Sequence, residues 1–426
     1  GAGGTAYVLF PLDGLSQGDQ GWTNDPRPGT LSVALTGGAG GAGGSAGTAL
    51  GSTAGKPGDG GHGLVINASN NSGTGVDSLH LTVNAAVTGG AAGIGAKPGS
   101  GIVILGEPVS TTLFVNAAVG GGQTGAGVTG AAVSYTNAPG STSHTIVIGA
   151  QGSLVGNVIM PSSIGGGLLI SNASDYTYNH RFIGSDVPNG NGATYFELFK
   201  GGAGTLTLTQ SQDIFGTVTI NGGRLRMGAN ATLGQYATVV LNGGVFDPGA
   251  QTVTVNGTLT GTGQVFVGSG GTTTLNGNNS AFTGSIYVSG TLVLGSNQAA
   301  GGVGSKIITT GSVVSFADGV NSATPITINS NTTQLEVLTG TATQSGVIDE
   351  TGGPRPLEKI GNGRLILTAT NTYTGTTTIT AGTLQIGAGG TSGTLGTGNV
   401  VNNATLIFNR SDATTVANAI SGSGQV

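Results

Sequence analysis

The 426-residue sequence contains no cysteine, which excludes a disulfide framework, a thiolate nucleophile and a sulfur-ligated metal. That lack suits a chain crossing an oxidising compartment before it folds; chance loss from a low-complexity sequence would leave the same record. Charge is nearly as scarce. Asp, Glu, Lys and Arg make up 7% of residues, against about a quarter in an ordinary domain. The net charge is −5, with no basic cluster, so the footprint of a nucleic-acid-binding surface is missing. No 18-residue apolar run exists that could span a bilayer as a helix. The opening GAGGTAYVLF lacks a charged leader segment, so any signal peptide is expected to have been removed beforehand. His62, His80, His144 and His180 are the four histidines. They form no H-x-x-x-H pair, and no acidic cluster recurs, so no metal or other cofactor is expected.

What is abundant is glycine, 87 residues, within a chain that is 36% apolar. Disordered chains combine low hydrophobicity with high net charge, and this one does not. Its apolar residues come in short Val/Ile/Leu/Thr runs bounded by Gly and Asn, the pattern of strands and turns. The fold class is all-β.

The second half carries one unit three times: GTLTLTQSQDIFGTVTINGGRLRMG from Gly204, GTTTLNGNNSAFTGSIYVSGTLVLG from Gly271 and GRLILTATNTYTGTTTITAGTLQIG from Gly363, with pivot glycines Gly216, Gly284 and Gly375. Within each unit apolar and polar residues alternate, which puts one apolar set on a buried strand face. In the first copy that set is Leu206, Leu208, Val218, Ile220, Leu225 and Met227; in the second it is Leu275, Ile286, Val288, Leu292 and Leu294. In the third it is Leu365, Leu367, Ile379, Leu384 and Ile386. A sandwich, a barrel and a solenoid could all use such strands. Repetition favours the solenoid, because a unit unable to bury its own apolar face must stack on its neighbours. The unequal intervals between pivots also suit it, since loops can bulge at any corner. The reading is a right-handed parallel β-helix with Gly-rich loops, right-handed by the crossover rule.

The first half repeats a different sentence. LSVALTGGAGGAGG, LTVNAAVTGGAAGIG and LFVNAAVGGGQTGAG each place a strand before a glycine tract. Val83, Val115 and Val147 recur at equal intervals and are expected to stack. For residues 37–63 the alternatives are an ordered loop or a flexible linker. The expected organisation is an N-terminal cap at 1–30 containing Trp22, Gly-rich rungs at 31–200, and rungs with the three repeats at 201–426. The chain stops at GSGQV, where an earlier copy reaches Val265, so it is expected to be a fragment of a longer array.

The three copies resemble the passenger-associated transport repeat of autotransporters, the type V secreted proteins of Gram-negative bacteria. The family pattern runs roughly GxGTLTLTGxNTYTGxTTVxxGTLxLG. The third copy is near to it, the second keeps FTG and GTLVLG, and the first has DIFG at the corner. The resemblance covers about 201–426. It implies a right-handed β-helical passenger, displayed on the cell surface or secreted, and exported through its own C-terminal membrane β-barrel. No series of amphipathic barrel strands is expected within this chain.

Catalytic signals are weak. GLSQG at 14–18 and GGSAG at 43–47 fit G-x-S-x-G, but a chain one-fifth glycine offers chance matches, and neither sits in a strand-to-helix elbow. Asp349, Glu350 and Glu358 read as charges of a solvated loop at 341–361. Tyr176, Tyr178, Arg181 and Phe182 form the densest aromatic and charged patch, readable as a binding face or as a packing collar. The expected function is non-enzymatic: an adhesin or self-association stalk partnered by itself, a host-cell receptor or matrix. The alternative is a secreted effector that binds a host receptor through the 37–63 or 341–361 loop.

Overall fold

The structure, a computed structural model, describes residues 29–426 apart from 32–33, 38–58, 68–77, 93–95, 106–109, 125–126, 137–142, 161–166, 185–196, 213, 215, 230 and 234–236. Trp22, most of the expected cap and both G-x-S-x-G stretches lie outside the described residues. Among those described there is no helix; every named strand pair is parallel, and the chain winds as a β-solenoid. It divides into two units, Gly1–Val218 and Thr219–Val426.

In the second unit one face stacks Arg224–Met227, Val245–Gly249, Gln264–Val267, Ser285–Val288, Lys306–Thr309, Ile326–Ile328 and Ile348–Glu350 in that order. A second face runs from Thr252–Val255 to Ile420–Ser421, and a third from Asn321–Ser322 to Thr405–Phe408. Like residues lie above one another, as Leu275 on Leu294 and Leu294 on Phe316. Every residue of the three apolar sets is 0–1% exposed. Each such side chain contributes about 1.5–3 kcal/mol by leaving water, and alternation alone was enough to pick them out.

The first unit has the same parallel stacking with longer turns. Val83 lies on Val115, but the next partner of Val115 is Ile148, with Val147 paired to Phe114. Equal intervals therefore misplaced the third member. A slip of one residue moves a side chain to the opposite face, and it is Ile148 that is buried while Val147 faces outward, half-buried.

The glycine tracts of this unit are backbone packed on backbone. The Gly90 N–H donates to the Gly61 carbonyl at 2.6 Å, Gly99 to Gly90 at 2.9 Å, Gly122 to Gly99 at 2.7 Å and Gly130 to Gly122 at 2.7 Å. Outgoing and returning arms thus alternate in one hydrogen-bonded stack. A Cβ on Gly99 would stand 1.9 Å from the Gly61 oxygen, and one on Gly122 1.9 Å from the Gly90 oxygen. No residue but glycine fits there.

The 341–361 segment is not a protruding loop. Thr341–Gln344, Ile348–Glu350 and Leu357–Ile360 are strands of ordinary rungs, one on each of the three faces of the second unit. The charges that suggested a loop occupy rung corners and outward strand positions.

Candidate functional site

The repeat corner is the most elaborated local structure in the chain. Just before each pivot a buried amide side chain ties turns together. Asn279, fully buried, accepts the Leu259 N–H at 2.7 Å and donates to the Ala299 carbonyl at 2.6 Å. Asn371 accepts from Ile348 at 2.8 Å and donates to Thr394 at 2.7 Å. In both cases one amide satisfies the turn before and the turn after. Gln212 in the first copy accepts from Phe182 at 2.8 Å and donates to the Gln210 and His180 carbonyls at 2.7 and 3.2 Å. The next inward residue is Ile214, Phe282 or Tyr373, each wholly buried. The DIFG corner of the first copy therefore keeps the architecture with an aliphatic in the aromatic's place.

The pivot glycines permit close approach. A Cβ on Gly284 would lie 1.9 Å from the Gly263 oxygen, and one on Gly375 2.0 Å from the Arg355 oxygen. Gly216 occupies the matching place, half-buried.

Two lysines passed over in the sequence mark the start of the first and third copies. Lys200 and Lys359 are 0% and 1% exposed. The Lys359 Nζ donates to the carbonyls of Ile360, Gly361 and Ala381 at 2.7, 2.9 and 3.3 Å, the last from the next turn. The Lys200 Nζ donates to Gly201 and, at 3.0 Å, Gly202. In both copies the second residue after the lysine is a glycine with positive φ, +72° at Gly202 and +76° at Gly361. That turn gathers carbonyl oxygens around the ammonium. Burial pushes both lysines down to about 8. The middle copy has Val267 at this position, and its left-handed glycine is Gly270 at +78°, one residue later in the repeat. The signal was available in the sequence as two lysines four residues before Gly204 and Gly363, in a chain with only 12 basic residues.

The aromatic patch splits between core and surface. Tyr178 and Phe182 are 0% and 2% exposed, with rings stacked 4.6 Å apart. The Tyr178 hydroxyl donates to the Gly156 carbonyl at 2.9 Å, one turn back. Tyr176 is half-buried, its hydroxyl accepting the Leu154 N–H at 2.8 Å. Arg181, also half-buried, has its backbone N–H bound to the Asn157 Oδ1 at 2.9 Å.

The carboxylates act as staples between turns. Glu350 accepts from the Thr374 N–H and from the Arg355 N–H at 2.9 and 2.6 Å. Glu358 bridges Gln334 on one turn, at 2.7 Å, and Thr380 on the next, at 2.5 Å. Histidines are dispersed. His144 is buried against Thr111, with Nδ1 2.8 Å from its hydroxyl and its ring centroid 4.2 Å from that of Tyr135; burial lowers it to about 4. His62 accepts the Ser100 N–H at 3.0 Å, and burial lowers it too. His180, against Tyr178, is lowered by burial, and His80 faces outward on a strand. Among the described residues no three His, Asp or Glu side chains converge on a metal position. The pocket lined by Met227, Phe246 and Val253 offers about 20 Å³, room for about one water.

The family model described as passenger-associated-transport-repeat matches residues 198–227 and 357–386. Those are the two copies with the buried lysine; the middle copy lies outside both matches. Over 236 residues, 54% of this chain, the sequence is 31% identical to the adhesin autotransporter BmaC of Brucella suis biovar 1 (strain 1330). The matched region spans 7% of that relative's length. No solved structure matches the chain. A parallel solenoid carrying these repeat corners, together with that likeness, identifies the chain as part of an autotransporter passenger domain with passenger-associated transport repeats.

Proposed function

We propose that this passenger is displayed on the surface of a Gram-negative bacterium and acts there without enzymatic activity. It is an adhesin whose outer strand faces make the contacts, holding cells to one another or to a surface. The observation that carries this reading is the composition of those faces. On the second face of the second unit Thr252, Thr272 and Thr291 lie in one outward row, and Thr254 and Thr274 in the next. Such rows offer neutral hydroxyls over two or three successive turns in place of one deep site. Each contact is weak, and strength comes from the number made together. The likeness to an adhesin autotransporter supports the same reading.

The test is settling and attachment of cells displaying the passenger, against cells displaying a version without 201–426. Clumping or attachment that needs the repeats is the expected outcome. Cells that stay dispersed and unattached with the full passenger would remove adhesion as its function.

A further inference from the structure

The outer surface of one face of the second unit carries an apolar stripe. Phe266, Tyr287 and Ile308 pair with one another across three successive strands. Each lies between buried residues and points outward, half-buried. Below them come Arg224 and Arg226, above them Thr327 and then Asp349. Both guanidiniums bind Asp247, at 2.9 and 2.8 Å. Two cations on one carboxylate leave a positive charge at that end, and the Arg224 guanidinium also lies 4.9 Å from the centre of the Phe266 ring.

The order of these residues is symmetric about Tyr287. Among the seven strands that the second unit contributes to this nine-stranded sheet, its strand is the fourth. The Arg224–Met227 strand lies three places to one side and the Ile348–Glu350 strand three places to the other. A two-fold axis along the Tyr287 strand would lay a second copy face to face with its stacking direction reversed. Tyr287 then meets Tyr287, Phe266 meets Ile308, and Arg226 meets Asp349. Side-by-side copies running the same way would set Arg226 over Arg226. Resting on the adhesive reading above, we propose that this stripe is a self-complementary docking surface for a second copy of the chain in reversed orientation.

Seven strands at about 4.8 Å, each four residues wide, cover roughly 400 Å² per copy. A standard interface buries about 800 Å² per partner. One pair is therefore weak, and an isologous contact of this kind gains strength through many displayed copies.

The absence of native cysteine permits a clean test on the full chain. Single variants Tyr287→Cys, Phe266→Cys and Ile308→Cys are treated with a bis-maleimide spanning about 10 Å, the spacing of packed sheets. Thr391→Cys, on an exposed turn after the Thr383–Ile386 strand of the third face, measures random collision. Tyr287→Cys is expected to cross-link to itself about tenfold or more above that control. Phe266→Cys and Ile308→Cys should each stay near the control alone and cross-link when mixed. Self-linking of the last two without mixing means copies run the same way, which overturns the proposal; so does linking no faster than the control. If no variant links, yet displayed Tyr287→Glu cells lose attachment to host cells, a foreign partner occupies the stripe and adhesion still stands. If the native passenger neither clumps cells nor attaches them while cross-linking succeeds, adhesion falls and the dimer stands.

Discussion

The two units solve the same packing problem with different materials. In the second, turns about 20 residues long are filled by side chains: Leu275 and Leu294, stacked directly, are 19 positions apart. In the first, Val83 and Val115 are 32 apart, and the added length runs into glycine arms held by backbone hydrogen bonds. A turn can be lengthened without a larger side-chain core when the extra chain packs on itself. The condition is that no Cβ stands between the arms. Side-chain rungs tolerate repacking, since hydrophobic volume can be redistributed; the glycine stack has no such latitude.

This contrast can be broken at chosen points and read unit by unit through amide hydrogen exchange of peptides from each. Gly122→Val carries the largest expected effect. Its Cβ would be placed 1.9 Å from the Gly90 oxygen, and loss of about 4 kcal/mol or more is expected in the first unit, with second-unit peptides unchanged. Asn371→Ala should cost roughly 3 kcal/mol in the second unit. It leaves the Ile348 N–H and the Thr394 carbonyl without their partner, at about 1–3 kcal/mol each. Equal protection in mutant and native peptides around Ile348 would show that the amide clamps nothing.

Acid sharpens the comparison next. His144 is lowered to about 4, so the unfolded chain takes up its proton first. Stability of the first unit should be full above pH 6.5 and fall as pH drops toward 4, by up to roughly 3 kcal/mol. His144→Phe should flatten that fall. The smallest effect belongs to Lys359→Met, about 1–2 kcal/mol, because some carbonyls it caps can turn to water. The lysine is held near 8, below its unfolded value. Native stability should therefore rise with pH between about 8 and 10.5, and this rise should shrink in the variant. An unchanged slope would mean that Lys359 is not the titrating group.

Alternation made the core legible, because strand faces depend only on neighbours along the chain. Leu206, Leu292 and Leu384 needed nothing more. Register between turns was less legible: Ile148, not Val147, stacks on Val115, since a corner can absorb one residue without changing composition. Asp349, Glu350 and Glu358 misled because charge usually marks a loop, whereas here Glu350 and Glu358 bind adjacent turns. Lys200 and Lys359 were missed because their carbonyl partners are created by a backbone turn at Gly202 and Gly361. The glycine tracts were expected as turns after strands, and the segment at 37–63, for which a loop or a linker was open, lies mostly outside the described residues. That arms distant in the chain would bond to one another depends on a stacking that no local pattern contains.

The corner amides and the parallel ladders both join each turn to the next along the stacking direction. A pull on the chain end in that direction enters the last turn at one corner, whereas the turns behind it share the same load over three ladders, so the last turn yields first. Each released turn of about 20 residues gives up roughly 5 Å of stack and supplies some 70 Å of extended chain. Under the adhesive role proposed above, a cell held in flow would be let out step by step, each turn rewinding when the flow slackens.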